Sequence, residues 1–124
     1  MNINELAKEI HENAVAHGWW DEPRQFPEVA ALIHSEISEA LEEWRDGNPT
    51  FYLKQEKRAA TLAEAQAGAA VQTEKPEGLA VELADAIIRI LDYTASEGID
   101  IDAVIMAKHK YNKGRSYRHG GKRA

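Results

Sequence analysis

The chain has 124 residues, 44% hydrophobic and 29% charged with a net charge of -6, which suits a single globular core and is short for two. It has no cysteine, which excludes disulfides and thiolate metal sites. No apolar run approaches the roughly 20 residues of a membrane span, and the opening "MNINELAKEI" lacks the form of a signal peptide, so the expectation is a cytoplasmic protein with no membrane partner.

Residues 3–17, "INELAKEIHENAVAH", predict a helix with Ile3, Leu6, Ile10 and Ala14 on one stripe, capped by Asn2 or Asn4 and ended by Gly18. "GWWDEPRQFP" reads as a loop carrying Trp19 and Trp20. Pro27 suits the first turn of a second helix, which runs to about Asp46 and stops at "DGNP". Residues 49–77 are helix-favouring in composition but Ala-faced and broken by "QTEKPEG". They read as an insert at about 50–75, partly helical and mobile. A third helix is expected from near Gly78 to about Glu97, with Gly98 as its stop. A fourth follows, capped by Asp100 or Asp102 and ending near Asn112 or Gly114. From about residue 113 the tail is basic and extended. Lys108 to the end holds seven basic residues and no acid, which leaves the rest of the chain strongly acidic. Period-2 alternation is almost absent. The predicted fold class is all-α, a four-helix bundle formed by one domain over residues 1–124.

Helical phase exposes an anomaly in the second helix. At about 100° per residue, Val29, Ala40, Ile33, Trp44 and Ile37 follow Glu36 within about 100° on one side, and Leu32 lies at about 40° on the other. Glu36 thus falls inside the apolar arc, with Glu39 and Glu43 at its edge, while Ser38, Glu42 and Arg45 take the solvated face. The third helix is apolar over most of its circumference, as a central helix would be. Its single polar stripe, about 80° wide, carries Glu82, Asp85, Arg89 and Asp92.

Burying unpaired carboxylates costs several kcal/mol each, and neighbouring like charges add to it. Arg89 can neutralise one of them but not four. Two i, i+3 pairs, Glu36/Glu39 and Glu82/Asp85, each interrupting the apolar face of a core-type helix, point to a divalent metal held by hard oxygen ligands from two facing helices. An acidic interaction patch is the competing explanation.

The stretches "HGWWDEPRQFPEVAALIHSEISEALEEWRDG", "KPEGLAVELADAIIRILDYTASEGIDID" and "KHKYNKGRSYRHGGK" together resemble the MazG-like all-α nucleoside triphosphate pyrophosphohydrolases. The family's ExxE and ExxD pairs match Glu36, Glu39, Glu82 and Asp85, and the segment between the pairs is longer here than is usual. The resemblance implies Mg²⁺-dependent hydrolysis of a nucleoside triphosphate to the monophosphate and pyrophosphate, with Mn²⁺ as a substitute metal, in a homodimer or dimer of dimers. It implies Glu36, Glu39, Glu82 and Asp85 as metal ligands. Among these, Glu39 is the candidate to orient the attacking water instead, and Glu43 and Asp92 are outer candidates that, taken singly, read more readily as surface or interface charges. It also turns the cationic end of the fourth helix toward phosphate: Lys108 and Arg115 as charge partners, Asn112 as a positioning residue, and His119 as a weaker candidate. Trp19, Trp20 and Tyr111 offer aromatic faces for a base, although either Trp serves equally to close the core or the dimer interface. His34, on the rim of its helix, needs no function.

Other members of the same superfamily, phosphoribosyl-ATP pyrophosphatase-like or dUTP/dCTP-specific, are the alternative enzymes. A non-catalytic helical interaction module is the alternative from another class. A di-iron carboxylate bundle would place His in ExxH motifs where this chain has Glu39 and Asp85. The acidic body disfavours nucleic acid as a partner.

Overall fold

The structure, a computed structural model, describes residues 1–54 and 75–115. Most of the expected insert, including the helix-favouring run "KQEKRAATLAEAQAGAA", and the tail from residue 116 with His119 therefore lie outside the described residues. Four helices and a small two-stranded sheet make the described chain mainly helical. None of these helices is long and apolar enough to cross a membrane. The chain forms two compact units, Met1–Trp19 with Leu91–Ala124, and Trp20–Ile90, and the boundary falls inside the third helix.

In the first unit, α1 spans Ile3–Ala16. Asn2 is its cap: the side-chain oxygen accepts the Glu5 amide at 2.8 Å, and Asn2 Nδ2 donates to Glu5 Oε1 at 3.1 Å. Asn4 has a different task. Its Nδ2 donates to Asp100 Oδ1 at 2.7 Å and its Oδ1 accepts the Asp102 amide at 3.1 Å, which stitches α1 to the start of α4, Ile101–Lys113. Asp100 caps α4 by accepting the Ala103 amide at 3.1 Å, and these two donors hold its carboxyl below the usual range. Of the α1 residues, Ala7 is buried and Ile10 and Ala14 are half-buried. Ile3 and Leu6, expected on the core stripe, are exposed, because α1 meets its neighbour along the Ala7 line.

The second unit begins with α2, Phe26–Arg45, which carries Pro27 in its first turn. Beyond it, β1 (Tyr52–Leu53) pairs antiparallel with β2 (Pro76–Glu77), with Tyr52 opposite Glu77 and Leu53 opposite Pro76. The sequence gives no sign of this clasp. Its main-chain bonds continue on both sides: the Lys54 amide donates to the Lys75 carbonyl and the Ala80 amide to the Thr50 carbonyl, both at 3.0 Å. Gly78 makes the clasp possible. Its φ is 118°, and a Cβ there would run into the Thr50 carbonyl and lie 2.9 Å from that of Pro49. The chain then enters α3, Leu79–Ser96, whose last turn ends at Gly98 with φ 67°.

Among the described residues the buried apolar set is Ala7, Val29, Ala40, Leu53, Ala86 and Leu91. Read from sequence as a central helix, α3 is not covered all round among the described residues. Leu83, Ile87, Ile88 and Ile90 are each at least 40% exposed, as are Ile37, Leu41 and Trp44 on α2.

Candidate metal centre

The second unit brings three carboxylates into one cluster. Glu36 from the middle of α2 and Glu82 and Asp85 from the first two turns of α3 each present an oxygen within 4.8 Å of the others. The i, i+3 spacing aligns Glu82 with Asp85, and the α2 phase that puts Glu36 among Val29 and Ala40 turns it toward them. Glu36 and Glu82 are buried at 7% and 8% exposure, while Asp85 is half-buried.

Each carboxylate is compensated differently. Burial alone would raise the Glu36 carboxyl, but the hydrogen bond and charge of Arg89, whose Nε stands 2.9 Å from Glu36 Oε1, bring it below the usual range. Arg89 thus neutralises one acid, as the sequence allows. Glu82 receives no such help. Its Oε2 is buried without a hydrogen-bond partner among the described residues. Desolvation, then the proton it can share with Glu39 and Glu36, then the charges of Glu39 and Asp85, push its carboxyl up to about 8. An ionised Glu82 has no donor to accept from; a protonated one can donate to Glu36 or Glu39. Asp85 is also raised, first by burial and then by the charge of Glu36, against the opposing pull of Arg89 and Lys75.

Glu39 stands outside the buried trio. It is exposed, one turn along α2 from Glu36, on the wall of a cavity of about 440 Å³ that also touches Glu82. The wall carries Glu42, Glu43 and Glu77 as well, completed by Ser38 and Lys75. Ser38 and Glu42, expected on the solvated face, are indeed exposed, yet they line this cavity because the clasp supplies Lys75 and Glu77 to the same space. Glu43 is fixed there: Tyr52 Oη donates to its two oxygens at 3.0 and 3.1 Å, and Asn48 Nδ2 donates to Oε2 at 2.8 Å. Burial and then the Glu43 contact push the Tyr52 hydroxyl up to about 12. Tyr52 and Lys75 lie in the stretch that has no helical period, so phase could not find them. Their signal is proximity to the acidic helices through the "DGNP" and "KPEG" turns.

The remaining candidates lie elsewhere. Asp92 belongs to the first unit, buried with its Oδ1 2.7 Å from His11 Nδ1. Lys108, Tyr111 and Arg115 come together at the end of α4, with Lys108 Nζ 4.8 Å and Arg115 Cζ 5.6 Å from the centre of the Tyr111 ring. Asn112 accompanies them on the last turn and is exposed; its carbonyl accepts the Arg115 amide at 3.2 Å. Trp19 and Trp20 are half-buried in the turn after α1, where the Trp19 amide donates to the Ala14 carbonyl. His34 is exposed on α2.

The donor set of Glu36, Glu82 and Asp85 suits a hard divalent cation. It offers oxygen only, converging and partly desolvated, with one buried oxygen that has no hydrogen-bond partner among the described residues. No family model matches the chain, and neither curated proteins nor solved structures give a match.

Proposed function

We propose that this chain is a Mg²⁺-dependent nucleoside triphosphate pyrophosphohydrolase of the MazG-like kind, converting (d)NTP to (d)NMP and pyrophosphate in the cytoplasm. The observation that carries the reading is Glu82 Oε2: a buried carboxylate oxygen with no partner among the described residues, set between two further carboxylates that approach it from two helices. Arg89 donates to Glu36 Oε1 at 2.9 Å and so compensates that carboxylate.

Glu36, Glu82 and Asp85 hold the metal, with Glu39 closing the set from the cavity wall. Bound there, Mg²⁺ supplies charge neutralisation on the phosphates and a more acidic water. Arg89 fixes the Glu36 carboxylate so that its free oxygen faces the cluster. Glu39 is the most accessible of the four and accepts the proton of the attacking water at its carboxylate. Lys108, Asn112 and Arg115, in the first unit, are the phosphate-binding candidates, and Trp19, Trp20 and Tyr111 are the candidates to stack on a base.

The working form is a homodimer or dimer of dimers in which the helices complete one bundle. The exposed Leu83, Ile87, Ile88 and Ile90 of α3, with Ile37, Leu41 and Trp44 of α2, are the surface that a second copy covers. The testing experiment is a panel of NTPs and dNTPs, canonical and modified, with Mg²⁺, scored for monophosphate and pyrophosphate. A preference for dUTP, dCTP or phosphoribosyl-ATP would narrow the activity. Absence of turnover throughout, together with binding of a basic protein partner by the acidic cavity, would replace it with an interaction module.

A further inference from the structure

The cavity beside the acidic cluster poses a charge problem that the assigned residues do not solve. Its wall carries five carboxylates, and a polyphosphate entering it would be repelled by each one left uncompensated. Among the described residues, Lys75 is the one cation on that wall. Its backbone is fixed: the Lys75 carbonyl accepts the Lys54 amide, and the next two residues form β2. Its side chain is not, being 68% exposed with Nζ 3.3 Å from Glu77 Oε1. An exposed pair of this kind contributes little, about 0–1 kcal/mol, so exchanging it for another anion is cheap.

We propose that Lys75 is a phosphate-binding residue of this site, resting on Glu77 in the substrate-free protein and moving to a polyphosphate oxygen when substrate enters. The inference rests on the pyrophosphohydrolase reading and adds to it a cation held by the clasp. The geometry fits the residue type. A rigid main chain sets where the ammonium starts, and a four-carbon stem lets a point charge leave Glu77 without moving β2. Glu77, at 15% exposure, keeps the lysine near the cavity until then.

The test uses inorganic tripolyphosphate, which has no base or sugar, titrated calorimetrically into the full chain with saturating Mn²⁺. Mn²⁺ affinity alone and the melting midpoint serve as controls for the metal site and the fold. Lys75→Gln should weaken tripolyphosphate roughly 10- to 100-fold, the span of one lost charge-assisted contact, while Mn²⁺ affinity stays within about twofold. Lys75→Arg should recover most of the loss. Glu77→Gln should leave the affinity unchanged or raise it, because it removes the resting partner. Opposite effects at Lys75 and Glu77 are the signature of exchange. Equal weakening by both neutral variants would identify the pair as structural and overturn the proposal. Wild-type affinity in Lys75→Gln, with nucleotide hydrolysis intact, would overturn the Lys75 role and leave the enzyme reading standing. A wild-type protein that neither binds tripolyphosphate nor hydrolyses any nucleotide would overturn both.

Discussion

Replacing Glu82 by glutamine should make the metal-free protein more stable at pH 8 and change little at pH 5. In the unfolded chain this carboxyl titrates near 4.5, and in the fold it is pushed up to about 8 by burial and by Glu39 and Glu36. Between those values the folded state holds a proton that the unfolded state has released. Stability from this group is therefore fully present below about 4.5 and is lost as pH rises toward 8. The interval corresponds to at most roughly 5 kcal/mol. Part of that belongs to Glu36 and Glu39, which share the proton, so the glutamine variant should gain about 2–5 kcal/mol at pH 8. Gln keeps the shape and supplies an amide that can donate to either neighbour. The assay is urea unfolding of wild type and Glu82→Gln in chelator from pH 5 to 9, with the difference between the two curves as the observable. That difference removes the contributions of every other titrating group. Added Mg²⁺ or Mn²⁺ should stabilise the wild type by RT ln(1 + [L]/Kd), about 2.7 kcal/mol at 100 times Kd, and should do much less for the variant. Matched ionic strength from NaCl should not reproduce the gain. A flat difference across pH, or a variant less stable at pH 8, would show that Glu82 is satisfied as an ion and would remove the physical basis for a metal there.

Three further outcomes follow from the same geometry. Glu36→Gln, Glu39→Gln, Glu82→Gln and Asp85→Asn should each lower turnover by at least about 10², whereas Glu28→Gln, in an exposed pair with Arg24, should be near neutral in a steady-state assay. Arg89→Met should cost about 2 kcal/mol in chemical unfolding without metal, because it leaves Glu36 buried and unpaired, and divalent metal should restore part of the loss; no loss would mean that Arg89 is not what holds Glu36. Lys108→Ala and Arg115→Ala should raise the nucleotide concentration needed for half-maximal rate while Mn²⁺ affinity stays unchanged, and loss of metal binding with normal catalysis at saturating Mg²⁺ would contradict a phosphate role.

The helices were legible because their ends are chemically marked. Asn2, Pro27, Gly98 and Asp100 each sit where the chain starts or stops a helix. The buried carboxylates were legible in part: phase places Glu36 inside the apolar arc of α2, whereas Glu82 falls on the polar stripe of α3 and its burial follows only from the otherwise apolar circumference of that helix. The clasp was not. Strands of two residues have no alternation to read, and the pairing of Tyr52 with Glu77 joins positions far apart in sequence. Gly78 gives a local hint, but its reason is a close approach to Thr50 that only the fold reveals. Without the clasp, the cavity has no second wall, so Ser38 and Glu42 looked merely solvated and Lys75 and Tyr52 looked like loop residues. The apolar surround of α3 was legible as residue type, but phase cannot say what covers it, and Leu83, Ile87, Ile88 and Ile90 are exposed among the described residues.

The central claim, that the buried carboxylates exist to hold a divalent metal, is tested most directly by calorimetric titration of Mn²⁺ into the metal-free protein at pH 7 in buffers of different ionisation enthalpy. With the Glu82 carboxyl pushed up to about 8, most molecules carry its proton at that pH, and metal must displace it. The account predicts saturable binding that releases close to one proton per site, a release that vanishes by pH 9, and loss of the binding in Glu82→Gln. Absence of saturable binding, or binding that releases no proton and survives Glu82→Gln, would contradict it.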